Sequence, residues 1–268
     1  MGQRQGGRRD DIPGSPALEA SQGQAVFFGP PGTGKTYVAK RLAKHVIGGG
    51  DGFLECIQFH PGYSYEEFME GIRPIVDTAG AMRFEAKAGR FLDFCRRAAA
   101  TQDPCVLIID EMNRANLSKV FGELMHLLEY RDTELALAGG KRFSIPKNVR
   151  IIGTMNTADR SIALVDFALR RRFAFLELAP EYGVLAGFHR KLGFDADPLV
   201  RVLREANGRI NDKNFHLGVS FFMVDKLDHH LEGIWRMEIE PYLEEYFFGQ
   251  PDAADAFRWD KIQSRLRD

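Results

Sequence analysis

Hydrophobic and polar positions change period several times along this chain. Residues 25–28 (AVFF) form a short unbroken apolar run, which reads as a short strand. Residues 36–47 (TYVAKRLAKHVI) then place Val38, Leu42, Val46 and Ile47 on one side with Lys and Arg between them. That spacing predicts an amphipathic helix, and the Gly48–Gly50 cluster stops it. Further on, FLECIQF (53–59) reads as a strand, YEEFMEGI (65–72) as a short helix, and PIVDTAGAMRF (74–84) as a hairpin turning at Ala79-Gly80. GRFLDFCRRAAA (89–100) is helical in pattern and CVLIID (105–110) is a solid apolar strand. ANLSKVFGELMHLLEY (115–130) predicts one long amphipathic helix, and ELALAGGKRFSI (134–145) a hairpin around Gly139-Gly140. VRIIGTM (149–155) and FAFLEL (173–178) read as strands flanking a helix over 161–173. From Pro180 onward only helical patterns and loops appear.

Strand–helix alternation up to about residue 179 predicts an α/β domain with a parallel sheet covered by helices. The expected organisation is a flexible lead-in over 1–24, rich in Gly, Arg and Gln, a core over 25–179, and a helical domain over 180–268. At 268 residues with 44% apolar side chains, the chain is large enough for this plan. A net charge of −1 removes any global basic field, so contact with nucleic acid would have to be local. Lys141 and Arg142 at the hairpin tip could touch DNA phosphates, or simply be solvated cations. No apolar run is long enough to span a bilayer and no secretory leader opens the chain, so a cytoplasmic protein is expected. Cys56, Cys95 and Cys105 show no metal-like spacing and are expected as buried reduced thiols.

Between the first strand and the first helix stands GPPGTGKT. Gly29, Gly32 and Gly34 permit a tight loop whose N–H groups face an anion, with Pro30, Thr33 and Tyr37 among its members. Lys35 supplies charge to phosphate oxygens, and the Thr36 hydroxyl can ligate Mg²⁺. A bare glycine turn would use the same residue types, but the flanking strand and helix favour phosphate binding. Asp110 and Glu111 close the strand LIIDE. They are either solvated acids, or a magnesium ligand (Asp110) and a residue that polarises water (Glu111). Asn156 ends the next strand, as a turn former or as an amide that orients water. Arg170, Arg171 and Arg172 end the following helix, either complementing its dipole or supplying an arginine finger to a neighbouring subunit.

GPPGTGKT, LIIDEMNRANLSKVFGELMHLLEYRD and GTMNTADRSIALVDFALRRRFAFLEL together resemble the AAA+ domain of the McrB family. That family supplies the motor subunit of modification-dependent restriction systems. IQFHPGYSYEEFMEGIRP (57–74) resembles the segment it carries after the second strand, and the MNTAD run is its signature. The likeness covers about residues 25–225. It implies an AAA+ fold with a five-stranded parallel sheet and a helical lid, the 74–84 hairpin being an insertion in helix 2. It implies GTP, or else ATP, as substrate with Mg²⁺, a hexameric homo-oligomeric ring, and stimulation by a McrC-like nuclease. By the same resemblance Asp110 and Glu111 are the Walker B pair, Asn156 and Asp159 belong to the signature loop, and Arg171 or Arg172 is the finger.

Two departures accompany the likeness. The family's N-terminal DNA-recognition domain is expected to be lacking here, and DNA to be reached through the complex. A glycine-rich lead-in also stands where a helix and loop usually line the base pocket, which is expected to weaken the hold on the base. In NFHLGVSFFM (214–223), which resembles the lid segment carrying a second sensor, no arginine is present. A nucleotide-dependent assembly scaffold with little turnover is the alternative reading.

Overall fold

The computed structural model of the chain describes residues 23–76, 80–137, 139–159 and 167–266. The lead-in to residue 22, the Ala79 half of the expected turn and the first part of the 161–173 helix lie outside them. The elements bearing on function are β1 (Gln24–Gly29), α1 (Lys35–Ile47), β2 (Leu54–Gln58), α2 (Tyr65–Phe68), β3 (Glu70–Val76), β4 (Met82–Ala88) and α3 (Arg90–Ala98). They continue with β5 (Cys105–Asp110), α4 (Leu117–Phe121), α5 (Leu124–Glu129), β6 (Leu135–Ala136), β7 (Arg142–Phe143), β8 (Val149–Asn156), α6 (Phe167–Arg170) and β9 (Ala174–Glu177). The helices α7 (Tyr182–Arg190), α8 (Asp197–Arg209), α9 (Leu227–Ile234) and α10 (Glu240–Tyr246) follow.

Five strands form one parallel sheet in the order β2-β5-β8-β1-β9. The apolar runs explain this placement. Every residue from Cys105 to Ile109 is fully buried, as are Ala25, Val26 and Phe27, because strands between neighbours under helices meet no water on either face. Register pairs Gln58 with Asp110 and Ile109 with Gly153, which aligns the carboxyl ends of β2, β5 and β8. Cys56 is exposed, unlike Cys95 and Cys105. It sits on β2 at the sheet edge, where alternate side chains face solvent, so the expectation of three buried thiols fails there.

Two helices expected from the sequence are cut short. The 65–72 segment is helical only to Phe68, held at its start by a capping box between Ser64 and Glu67. Glu70 then enters β3, pairing with Ala88, and its buried carboxylate accepts from the Gly139 N–H at 2.7 Å. The β3–β4 hairpin is therefore longer than the 74–84 expected from turn residues alone. One of its faces, Ile72, Pro74, Val76, Met82, Phe84 and Ala86, is apolar and exposed. The 115–130 segment breaks into α4 and α5 at Gly122, whose φ of 45° and ψ of −127° are open to glycine and not to the periodicity that suggested one helix.

The chain divides into two compact units. The first, built on Thr36–Met155, Asp159–Leu176 and the described residues to Phe28, has an aromatic centre. Phe68 stacks on Phe91 at 4.9 Å and meets Phe121 edge-on at 5.2 Å. Helix α3 buries Phe91, Leu92, Phe94, Cys95 and Ala98 into that core at helical spacing. The second unit contains Gly29–Lys35, Asn156–Ala158 and the chain from Glu177 onward. Its core collects Leu185, Leu199, Leu203, Phe222, Trp235 and Leu243. The Trp235 indole N–H is satisfied by the Phe257 carbonyl at 2.7 Å. Truncating Phe68, fully buried at the centre of the first unit, to alanine is expected to cost about 3–5 kcal/mol in chemical unfolding, read from the denaturation midpoint.

Candidate functional site

The loop between β1 and α1 owes its shape to glycine. Gly32 and Gly34 have φ of 75° and 80°, in the left-handed region that other residues enter only under strain. At Gly29 an added Cβ would lie 2.2 Å from the Leu178 carbonyl oxygen. The Lys35 ammonium folds back over the loop, donating to the carbonyls of Gly29 at 3.0 Å and Pro30 at 2.8 Å, and the Thr33 hydroxyl also donates to Pro30. Helix α1 begins at Lys35, so its first N–H groups, which have no partner within the helix, point back toward the loop. Tyr37, in the first turn of α1, is exposed.

Two further carbonyls of the loop are taken up by the segment after α8. Gly218 N–H donates to Pro31 O at 2.9 Å and Ser220 N–H to Gly32 O at 2.7 Å. Gly218 comes so near that a Cβ there would lie 2.0 Å from the Gly32 carbonyl carbon, and the Phe221 ring covers Gly32 from another side. Buried Asn207 fixes this segment, accepting from Leu217 N–H at 2.6 Å and donating to Leu217 O at 2.9 Å. The position where the family's second sensor was sought thus holds backbone contacts rather than a cation. The signature loop is anchored in the same unit, with Thr157 N–H donating to Gly29 O at 2.9 Å and the Thr157 hydroxyl to Asn214 O at 2.8 Å.

At the end of β5, Asp110 Oδ1 accepts the Thr36 hydroxyl at 2.8 Å and also the Thr154 hydroxyl. The last residue of the loop motif and the last residue of the acidic strand therefore meet directly. Glu111 follows in a left-handed conformation with φ of 52°, which costs a non-glycine residue on the order of 1–3 kcal/mol and clusters at functional sites. Its N–H donates to Thr154 Oγ1 at 3.2 Å. Arg114 lies between two acids named from sequence, with Nε 3.3 Å from Glu111 and 3.4 Å from Asp159. Asn156 Oδ1 accepts from Ala158 N–H at 3.2 Å, a turn-type contact.

The three arginines differ in their surroundings. Arg172 is mostly buried and pairs with Glu129 at 2.5 Å. Arg170 lies over the Phe175 ring at 5.6 Å, and Arg171 is exposed. Two residues of the site went unnamed in the sequence, Arg114 and Thr154. A Thr inside an apolar strand carries no signal of its own, and Arg114 is one of many surface-type arginines.

A doubly wound parallel sheet with a glycine-rich loop after β1 and an acid pair at the end of β5 defines a P-loop nucleoside triphosphatase. The chain belongs to the AAA domain family, dynein-related subfamily, whose model it matches over residues 24–173. Residues 198–255 match the alpha-helical lid domain of McrB. Among curated proteins it is 40% identical over 253 residues to the type IV methyl-directed restriction enzyme EcoKMcrB subunit of Escherichia coli (strain K12), covering 84% of this chain and 54% of that protein. It is 25% identical over 213 residues to the type II restriction enzyme BsuMI component YdiS of Bacillus subtilis (strain 168), covering 63% of this chain and 60% of that protein. The chain thus spans little more than half the length of these relatives. Among the described residues no helix is long and apolar enough to cross a membrane.

The oxygen donors present suit Mg²⁺. Thr36 and Asp110 offer hard ligands 2.8 Å apart, and no cluster of three or more His, Cys, Asp or Glu side chains suited to a metal occurs among the described residues. An ion held by one carboxylate, one hydroxyl and a ligand's phosphates needs no such cage. The close approach of Gly218 to Gly32 yields a test. Gly218→Ala is expected to weaken binding of a fluorescent nucleoside triphosphate by on the order of tenfold or more. Gly208→Ala, at a helical glycine with nothing within 4 Å, is expected to leave it unchanged in the same titration.

Proposed function

We propose that this chain hydrolyses GTP, with ATP the less favoured substrate, as the motor of a methyl-directed DNA restriction complex. The observation carrying the hydrolytic part is the 2.8 Å contact of Thr36 with Asp110, because it brings the phosphate-loop helix and the acidic strand end to one point. On this reading the N–H groups from Gly32 to Thr36 hold the phosphates, and the Lys35 ammonium exchanges its loop carbonyls for phosphate oxygens. Thr36 and Asp110 hold Mg²⁺, which when bound offsets phosphate charge. Glu111 accepts a proton from water as it attacks, and the Asn156 amide orients that water. Asp159 steadies the arrangement through Arg114.

Arg171 is the preferred finger, acting on a neighbouring subunit's nucleotide in a homo-oligomeric ring. It is exposed, whereas Arg172 is engaged with Glu129. The preference for GTP, the hexameric ring and a McrC-like nuclease partner rest on the McrB resemblance and on the restriction enzymes to which the chain is similar. Contact with DNA is assigned to the complex. Arg142 on the β6–β7 hairpin pairs with Glu134 at 3.4 Å, which lowers its worth as a phosphate contact.

Glu111→Gln is expected to lower nucleotide turnover by roughly 10²-fold or more while nucleotide binding persists. Turnover unchanged in that variant would overturn the hydrolytic reading, and hydrolysis of ATP but not GTP would overturn the base assignment. Mixing Arg171→Ala chains with Glu111→Gln chains is expected to restore part of the turnover that each lacks alone, since a finger in trans complements across the interface. Arg172→Ala is instead expected to lower the melting temperature, because it leaves Glu129 unpaired.

A further inference from the structure

We infer that Thr154 is the positioning residue that sets both acids at the end of β5, an inference that rests on the roles proposed above for Asp110 and Glu111. Strand β8 is apolar around this position: Ile151 and Ile152 are fully buried, Gly153 follows, and Met155 is 1% exposed. A hydroxyl in such a run is unfavourable unless its hydrogen-bonding capacity is used. Thr154, 2% exposed, donates and accepts, and does so on consecutive residues, the last of the neighbouring strand and the one after it. Its single proton goes to Asp110 Oδ1, and its oxygen accepts from Glu111 N–H at 3.2 Å. The register explains the reach, since Ile109 pairs with Gly153 and the next step places Thr154 beside Asp110.

The two contacts do different things. The proton given to Asp110 Oδ1 arrives beside the one given by Thr36 at 2.8 Å. Together they fix the rotation of the carboxylate and leave Oδ2 as the oxygen to face a cation. The contact to Glu111 N–H holds the peptide between the two acids and supports the left-handed backbone at Glu111, φ 52°. The direction in which the Glu111 carboxylate leaves the strand end follows from that backbone. One hydroxyl on β8 therefore sets the orientation of a metal-binding acid and of a water-polarising acid at once.

The test compares Thr154→Val, isosteric but without the hydroxyl, with Thr154→Ser, which keeps the hydroxyl and loses the methyl. Full-length chains are assayed for turnover over a Mg²⁺ titration, with binding of a fluorescent GTP analogue read in parallel. Thr154→Val is expected to lower kcat by about 10–100-fold, to leave KM within about twofold, and to raise the Mg²⁺ concentration for half-maximal binding and turnover several-fold. Thr154→Ser is expected to stay within about threefold of the parent on every axis. Turnover and Mg²⁺ dependence unchanged in Thr154→Val would overturn the inference, as would a loss in Thr154→Ser equal to that in Thr154→Val. If Thr154→Val does not fold, Thr154→Ala against Thr154→Ser isolates the hydroxyl, because both lack the methyl. Glu111→Gln separates this inference from its foundation. If it abolishes turnover while Thr154→Val does not, the role of Thr154 fails and that of Glu111 stands; if it leaves turnover intact, the role of Glu111 is what fails.

Discussion

The hydrogen bond from the Thr36 hydroxyl to Asp110 Oδ1, 2.8 Å long, ties the start of one helix to the end of a central strand. Thr36 belongs to the first turn of α1 and Asp110 to the last position of β5. For them to meet, β1 and β5 must lie in one sheet with β8 between them and run in the same direction, as they do. The glycines of the loop must also turn the chain sharply enough that the helix starts above the strand ends. The buried apolar strands supply the free energy for this arrangement and the polar contact selects its geometry.

The acids then acquire their settings from neighbours rather than from their own positions. Asp110 receives two hydroxyl donors, and Glu111 takes a backbone conformation that few non-glycine residues adopt. Arg114 approaches Glu111 and Asp159 alike, so these two acids share a cation. A chain similar over most of its length to one restriction-enzyme subunit, and matching both an AAA domain and a McrB lid, places this chemistry in an ATP- or GTP-hydrolysing family.

Much of this was legible in the residues because strong periodicity and local chemistry agreed. CVLIID and VRIIGTM are apolar for long enough to show as buried strands, AVFF reads as a short strand, and the loop motif lies between a strand and a helix. Where a single residue overrode a pattern, the reading failed. Gly122 divides a run whose apolar spacing is that of one helix, and Glu70 turns a helical segment into a strand by finding a partner at Gly139, far along the chain. Thr154 and Gly218 were invisible for a related reason. Each matters through a neighbour remote in sequence, and nothing within a few residues of either marks it. The absence of an arginine in residues 214–223 was plain to read, but what the segment does instead, bonding to the loop carbonyls by its backbone, is a property of the fold alone.

The pairing of Gly32 with Gly218 bears on any effort to transplant this phosphate loop into another scaffold. The loop is usually thought of as a portable cassette of eight residues with its helix. Here the carbonyls of Pro31 and Gly32 are bonded by Gly218 and Ser220, Gly218 lies too close to Gly32 to carry a side chain, and the Phe221 ring fills the space beside Gly32. A graft that carried only the cassette would leave those carbonyls to solvent and its backbone without a brace. The smallest transferable piece is therefore discontinuous, with the stretch from Leu217 to Phe221, and the Asn207 that holds it, as its second half.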